Sequence, residues 1–249
     1  MDVRSMLQGL LERRLSERGR RWLEGEMRGG ELLLSFPQVS RKVGSAPLEL
    51  DEKEGEESMR LGIGWPVARS VDELARVLLL LERAGSPTSE RAGSPTSERA
   101  GSPTSERAGP PTSAPSAEAS LAQGAFLQGD NKERCAVLRA LPLMPTPKAH
   151  VPLAAEAMRT HVTDVFEALA CENPFAASHL AEAQFNQLVM KAVFLGIPVA
   201  RILGLGGRKN PELARMAGDH AREREAAGRS VPTCLGHLCD MPLAKGVDE

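Results

Sequence analysis

Three polar side chains interrupt an otherwise apolar stretch and could contact a ligand. Asn186, Gln187 and Lys191 lie in a segment that we expect to form a helix over Glu182–Leu195. Gln187 and Lys191 are four residues apart and share a helix face, whereas Asn186 points about a third of a turn away. Polar groups in such surroundings need hydrogen-bond partners or water. Two interpretations follow: a polar groove that holds a metabolite or partner, or a helix-packing network with Lys191 reaching solvent.

Two Asn-Pro pairs and a glycine-rich turn flank this helix. Asn173-Pro174 marks a turn, and Asn210-Pro211 opens a further helix with Asn210 as its N-cap residue. The turn over Gly204–Gly207 could present backbone amides to an anion, helped by Arg201 and Arg208, or could simply be flexible. The candidate ligand- or partner-binding residues are Asn173, Asn186, Gln187, Lys191, Arg201 and Asn210.

The sequence lacks a recognisable catalytic set. It has neither an HExxH zinc pair nor a GxSxG nucleophile elbow. The cluster of Cys234, His237 and Cys239 lacks the paired spacing of zinc sites. We therefore expect no catalytic residue, no metal and no cofactor. The alternative is an enzyme in which His161, Lys191 or Asp219 carries out acid–base chemistry, which requires side chains within hydrogen-bond reach of a shared substrate.

Composition narrows the classes of partner and location. The chain has 249 residues, of which 41% are hydrophobic, so it can bury a core. A net charge of -2 and the absence of tyrosine argue against a nucleic-acid partner. The basic clusters Arg13–Arg14 and Arg18–Arg21 are interpreted as solvated helix faces. We find no secretory signal and no apolar run long enough to span a membrane, and four widely spaced cysteines suit a reducing compartment, so we expect a cytoplasmic protein.

The elements that would position these residues are helices. Apolar residues recur at helical spacing, and period-two runs of β-branched residues are absent. We predict an all-α fold of stacked helical hairpins, HEAT-like or α-solenoid-like. Ser70 and Glu73 form a capping-box pattern at the start of one helix. Another helix is expected to run from Pro152 to Ala170 with His161 facing inward.

Four tandem octads divide the helical segments. Three read ERAGSPTS and the fourth reads ERAGPPTS, over Glu82–Ser113. Their only apolar residue is alanine, so they cannot bury enough surface to offset the entropy of ordering. We predict a long disordered low-complexity insert, either an expanded loop of low closure cost or a phosphorylatable Ser-Pro docking segment. The predicted domains are an N-terminal helical half (1–83), a disordered linker (84–120), a C-terminal helical half (121–230) and a flexible tail (231–249).

Six long motifs, which cover most of the chain outside 84–125, are similar to segments of one known family. They read, in chain order, LLLSFPQVSRKVGSAPL, GWPVARSVDELARVLLLL, CAVLRALPLMP, MRTHVTDVFEALACENPF, FNQLVMKAVFLGIPVARILGL and NPELARMAGDHAREREAAGR. On these motifs the chain resembles the EboA family of metabolite traffic proteins. Ala176, His220 and Glu225 depart from the family pattern, in which Pro, Tyr and Trp are usual.

The resemblance implies a role without an established catalytic activity. It implies an all-helical cytoplasmic protein that helps to move a secondary-metabolite precursor toward the periplasm. Its partners would be proteins encoded in the same bacterial gene cluster, including a membrane prenyltransferase-like protein, and a small metabolite. We therefore expect a non-enzymatic adaptor or scaffold whose face near Asn186, Gln187 and Lys191 contacts the metabolite or a partner. The alternatives are a small metabolite-modifying enzyme and an interaction module regulated through the Ser-Pro repeats.

Overall fold

The described part of the chain is built from helices. A computed structural model describes residues 2–85 and 116–239, and in these ranges an isolated β-bridge joins Pro47 to Ser70 without forming a strand. The all-α prediction is thus confirmed. All but the first four residues of the octad tract lie outside the described residues, so the predicted disordered insert stays a prediction.

The α-helices before the octad tract are α1 (Val3–Glu12), α2 (Glu17–Gly29), α3 (Leu32–Ser35), α4 (Val39–Val43), α5 (Glu52–Arg60) and α6 (Val71–Ala84). Those after it are α7 (Ala117–Gln128), α8 (Asn131–Ala140), α9 (Val151–Ala157), α10 (Thr163–Ala170), α11 (Phe175–His179), α12 (Glu182–Phe194), α13 (Leu205–Arg208), α14 (Pro211–Ala226) and α15 (Thr233–Cys239). Short 3-10 turns cover Phe36–Gln38, Leu141–Leu143, Pro147–His150 and Val199–Arg201.

Helix α6 is the centre of the fold. Every residue from Val71 to Leu81 is buried, which requires neighbours on all sides of the helix. It packs against α1, α2 and α4 from the first half of the chain and against α7 and α8 from the second. Buried apolar side chains from α1 to α15 form one continuous cluster. The division into separate domains and the HEAT-like stacking stay predictions.

The buried face of α6 includes a fully enclosed arginine. Arg76 is only 2% exposed, and its guanidinium donates to the Asp72 carboxylate at 2.9 Å and the Ser40 hydroxyl at 3.0 Å. It also donates to the Phe36 carbonyl oxygen at 3.2 Å. A buried charge without such partners would cost several kcal/mol. The cluster therefore fixes α4 and the preceding 3-10 turn against α6.

A second buried carboxylate joins α1 to α5. Glu54 lies in the first turn of α5, where it completes a capping box with Asp51. Its side chain is 6% exposed and accepts from Arg13 Nε at 2.9 Å and from Arg14 Nη1 at 2.9 Å. The hydrogen bonds from Arg14, the largest cause, lower the pKa of Glu54 to about 2. The two arginines expected on a solvated face thus hold the end of α1 on α5.

Two boundaries differ from the sequence prediction. Helix α7 begins at Ala117, inside the segment predicted as a linker, because Ser116 accepts a hydrogen bond from the N–H of Ala119 as its N-cap and the helix buries Ala122 and Phe126. Helix α15 lies inside the predicted flexible tail, where Leu235 and Leu238 are buried in the core. Both segments fold because they contribute apolar side chains to the common core.

Two local predictions were wrong. The helix expected over Pro152–Ala170 is broken into α9 and α10, and His161 lies exposed in the break rather than facing inward. Ser70 is the N-cap residue of α6 but forms no capping box, because its hydroxyl donates to Asp72 at 2.6 Å. The carboxylate of Glu73 instead accepts from the backbone N–H of Arg69 at 2.5 Å.

The helices within the described ranges are also too short or too polar to cross a bilayer. A search of residues 2–85 and 116–239 gives no candidate membrane span. This agrees with the expectation from the sequence for those residues.

We predict that Glu54→Gln lowers the free energy of unfolding by about 3 kcal/mol at pH 7, since lowering the pKa of Glu54 from 4.5 to about 2 corresponds to roughly that free energy. Because the folded pKa of Glu54 lies below the unfolded one, this stability is present above pH 4.5 and is lost as the pH falls toward 2. Urea unfolding at several pH values measures both effects. Glu52→Gln, an exposed change on the same helix, is the control and should stay within about 0.5 kcal/mol of the wild type. Equal acid sensitivity of the wild type and Glu54→Gln would contradict the prediction.

Candidate functional site

Asn186 and Asn210 form a buried amide pair. Asn186 Nδ2 donates to Asn210 Oδ1 at 3.0 Å, and Asn210 Nδ2 donates back to Asn186 Oδ1 at 2.8 Å. Asn210 Oδ1 also accepts from the N–H of Leu213 at 2.9 Å, which confirms the predicted N-cap of α14. The pair holds α12 against α14, so these two amides serve helix packing.

Asn173 is likewise saturated within the protein. Its Nδ2 donates to the carbonyl oxygens of Leu138 at 3.0 Å and Ala168 at 2.8 Å, and its Oδ1 accepts from the N–H of Phe175 at 3.0 Å. The side chain is 2% exposed. It satisfies carbonyl groups at the ends of α8 and α10 that would otherwise be unpaired.

Lys191 occupies the break between α9 and α10. Its Nζ donates to the carbonyl oxygens of Met158 at 2.5 Å and Thr160 at 2.7 Å, and it lies 4.9 Å from the centre of the Phe166 ring. These bonds stabilise the end of α9, which is the physical reason for the break that the sequence did not predict. Burial lowers the pKa of Lys191. Gln187, one turn earlier, is exposed, so its role as a contact residue stays a prediction.

Arg201 anchors an ionic network that reaches the N-terminal half. It donates to both carboxylate oxygens of Glu172, at 2.6 and 2.9 Å, and lies 2.7 Å from the Glu167 carboxylate. The backbone of Glu172 has φ of +47° and donates its N–H to the Arg201 carbonyl at 2.8 Å, so these contacts hold a left-handed conformation unusual for glutamate. Arg69 completes the network, 3.5 Å from Glu172 and 3.7 Å from Glu167.

The glycine-rich turn is folded rather than open. Gly204 takes φ of +74°, where a Cβ would lie 2.6 Å from the Ala177 side chain, and α13 follows it. Arg208 donates to the carbonyl oxygens of Ala177 and Leu180, and its guanidinium lies 4.6 Å from the centre of the Phe185 ring. Arg201 and Arg208, proposed from the sequence as helpers of an anion site, are thus both engaged with other groups of the protein.

The three side chains considered for acid–base chemistry do not line a common cavity among those found in the described ranges. Asp219 lies on exposed α14, where it pairs with Arg215 at 2.6 Å and with Arg222. Lys191 is held by two carbonyl oxygens, and His161 is exposed. Nothing in this arrangement brings them to one substrate.

A charged cavity lies where α6, α8 and α10 meet. Its volume is about 240 Å³, below the usual range for drug-sized ligands, so it admits a small molecule or one end of a larger one. Both halves of the chain line it, with Arg69, Ser70, Asp72, Glu73, Asn131, Lys132, Cys135, Arg139 and Asp164. We call this space the charged cavity.

The floor of the charged cavity is neutralised, whereas its rim is not. Glu73 pairs with Arg139 at 3.1 Å, and both side chains are less than 10% exposed. Lys132 and Asp164 are exposed and carry opposite charges, and within the described ranges neither makes an ion pair or side-chain hydrogen bond. The cavity therefore offers one cationic and one anionic group to an incoming molecule.

The thiol in this cavity is a poor nucleophile. Burial, followed by the nearby Glu73 carboxylate, raises the pKa of Cys135 to about 11. Its Sγ donates to the backbone oxygen of Asp164 at 3.5 Å. Because the thiolate is the reactive form, the cavity is suited to binding rather than covalent catalysis at neutral pH. Over residues 2–85 and 116–239, no three His, Cys, Asp or Glu side chains are grouped closely enough to hold a metal ion.

No pattern in the sequence predicted this cavity. Asp130 and Glu133 form a capping box that starts α8 and places Lys132 in its first turn. The capping box can be recognised in the sequence. The packing of α8 against the starts of α6 and α10 cannot, because it depends on tertiary contacts. Of the six residues singled out from the sequence, only Arg201 approaches the cavity, through the carboxylates that it shares with Arg69.

We predict that Cys135 reacts slowly with a maleimide at pH 8. A pKa of about 11 rather than 9 reduces the thiolate fraction about 100-fold relative to an ordinary thiol. The rate should continue to rise with pH beyond 9. Peptide-level mass spectrometry measures it in a Cys234→Ser, Cys239→Ser background. A rate that levels off near pH 9 would contradict the assigned environment.

Comparison with known proteins gives one family. The family model described as metabolite traffic protein EboA matches residues 113–240, slightly more than half of the chain. Among curated proteins and solved structures there is no significant match. The matched span includes the α8 and α10 walls of the charged cavity, with Lys132, Cys135 and Asp164. The chain belongs to the EboA family of metabolite traffic proteins.

Proposed function

We propose that this protein is a non-enzymatic adaptor in metabolite traffic that holds a small charged molecule in the charged cavity. The observation that carries the proposal is the pair of unpaired opposite charges, Lys132 and Asp164, on the rim of one cavity. A ligand with a carboxylate or phosphate group would contact Lys132, and an amine or other donor would contact Asp164. Interactions of this kind with charged groups contribute about 1.5–3 kcal/mol each.

The architecture supports binding without turnover. The Glu73–Arg139 pair and the Arg69 network tie the walls of the cavity to both halves of the chain. Preformed walls reduce the entropy lost on binding. The Cys135 thiol stays protonated at neutral pH, so it adds no nucleophile to the cavity. A carrier needs these properties, since it must release its cargo unchanged.

The proposed partners are proteins encoded in the same gene cluster, including a membrane prenyltransferase-like protein. In this proposal the protein works in the cytoplasm and delivers a secondary-metabolite precursor toward the periplasm. The family name supports the traffic role. Co-purification of the cluster-encoded proteins from the native host is the expected result of an affinity isolation. A protein that retained neither these partners nor a small molecule would contradict the proposal.

We predict that the double variant Lys132→Gln, Asp164→Asn loses its bound small molecule. Protein isolated from the native host is denatured, and the released molecules are quantified by mass spectrometry. Retention should fall at least about tenfold, because one charged contact contributes about 1.4 kcal/mol or more.

The matched control is Lys53→Gln, Glu182→Gln. Lys53 is the second residue of α5, as Lys132 is of α8, and Glu182 lies in the first turn of α12, as Asp164 does in α10. The control therefore reproduces the changes in charge and helix-dipole interaction away from the cavity. Equal retention by the two double variants would exclude the charged cavity as the cargo site.

A further inference from the structure

A second cavity is lined by cations. It lies in the N-terminal part of the chain, outside the span that the family model matches. Its volume is about 390 Å³, and its lining is Arg18 of α2, Gln38 of the 3-10 turn, and Arg41 and Lys42 of α4. We call it the basic cleft. The carboxylates of the charged cavity have no counterpart in this lining.

The cations of the basic cleft are unpaired, unlike most arginines of this protein. Arginines elsewhere donate to carboxylates, as Arg14 and Arg201 do, or to carbonyl oxygens, as Arg208 does. Within residues 2–85 and 116–239, the side chains of Arg18, Arg41 and Lys42 make no ion pair or hydrogen bond. Arg18, Arg41 and Lys42 are exposed, so water solvates them in the free protein and all three are available to an incoming anion.

The backbone holds these charges together. Gly19, the residue after Arg18, packs against the end of α4: a Cβ there would lie 3.2 Å from the Lys42 carbonyl oxygen. This distance is shorter than most Cβ contacts, so glycine favours the close packing of α2 on the end of α4. Gly44, with φ of +81°, ends α4 two residues after Lys42. The walls of the basic cleft are therefore set by packing between α2 and α4.

The neighbouring acidic groups are turned toward other partners. Glu17 pairs with Arg21 at 2.8 Å, and Asp72, which approaches α4 through Ser40, is buried against Arg76. Neither carboxylate lines the basic cleft. Its field is therefore positive although the chain carries a net charge of -2.

An exposed apolar residue precedes Gln38, which lines the basic cleft. Leu34 is 63% exposed and lies one helical turn before Gln38, whose Nε2 donates to the Leu34 carbonyl oxygen at 3.0 Å. An exposed leucine next to clustered cations also matches the composition of surfaces that meet lipid headgroups.

From these contacts we propose that the basic cleft binds a phosphate-type anion, distinct from the cargo of the charged cavity. Arg18 and Arg41 would each offer a planar fork of donors to the phosphate oxygens, and Lys42 a point charge. A free phosphate group and the headgroup of an anionic lipid share this chemistry. The proposal does not depend on the cargo site, because the basic cleft and the charged cavity have no lining residue in common.

Two arms of one experiment distinguish the two sources. The full chain is titrated with inorganic pyrophosphate by calorimetry, and it is sedimented with vesicles of phosphatidylcholine alone or mixed with phosphatidylglycerol. The test variant is Arg18→Gln, Arg41→Gln, Lys42→Gln. Its charge-matched control is Arg28→Gln, Arg60→Gln, Arg159→Gln, whose arginines are 77–79% exposed and lie outside the basic cleft.

We expect the wild type and the control to bind alike and the test variant to lose binding. On vesicles containing phosphatidylglycerol, the loss should be about 100-fold, since each of the three cations near an anionic surface contributes about a factor of five. For pyrophosphate a loss of at least about tenfold is expected. Binding in the pyrophosphate arm alone assigns a soluble phosphate, and binding in the vesicle arm alone assigns a lipid headgroup.

The proposal is overturned if the wild type binds in neither arm, or if the control loses as much as the test variant. Thermal unfolding of both triple variants verifies that each is folded. We expect the test variant to lose anion binding but to retain the small molecule of the charged cavity. This combination separates the result from any effect on the cargo site.

Discussion

The burial of charge on α6 constrains the rest of the structure. This helix is enclosed on every side from Val71 to Leu81, yet its first two turns carry Asp72, Glu73 and Arg76. A buried charge left without a partner costs several kcal/mol. Each of these three side chains therefore needs an oppositely charged or hydrogen-bonding partner from another part of the chain. Arg76 takes Asp72, Ser40 and a carbonyl oxygen, and Glu73 takes Arg139 of α8. The Glu73–Arg139 pair joins segments that lie on opposite sides of the octad tract.

The same pairings explain why the charged cavity is suited to binding. Since Glu73 and Arg139 neutralise each other at its floor, the free charges are those of Lys132 and Asp164 at the rim. Arg69 extends the network to Glu172 and Arg201, so the α10 side of the cavity is held as well. The side chains that carry charge into the solvent-facing space therefore rest on a base that is rigid and already neutral. Recognition can occur there without rearrangement of the core.

The sequence predicted local features well because they depend on neighbouring residues. The N-cap of α14 at Asn210 and the end of α12 near Leu195 follow from patterns of a few neighbouring residues. The interpretation of Asn186 as a packing group required only its apolar surroundings, although its partner could not be named. In contrast, the break after α9 depends on Lys191, more than thirty residues away, which supplies donors to its carbonyl groups. The charged cavity depends on three helices whose contacts no local pattern encodes.

The most direct test of the cargo site uses Cys135 as a reporter inside the charged cavity. The rate of its alkylation is measured at pH 9 in the purified protein, with and without the small-molecule extract of the native host. If the cavity holds the cargo, the extract slows alkylation of Cys135 and leaves that of Cys239, which is exposed on α15, unchanged. Equal rates at Cys135 in the presence and absence of the extract, for protein first freed of bound molecules, would contradict the account.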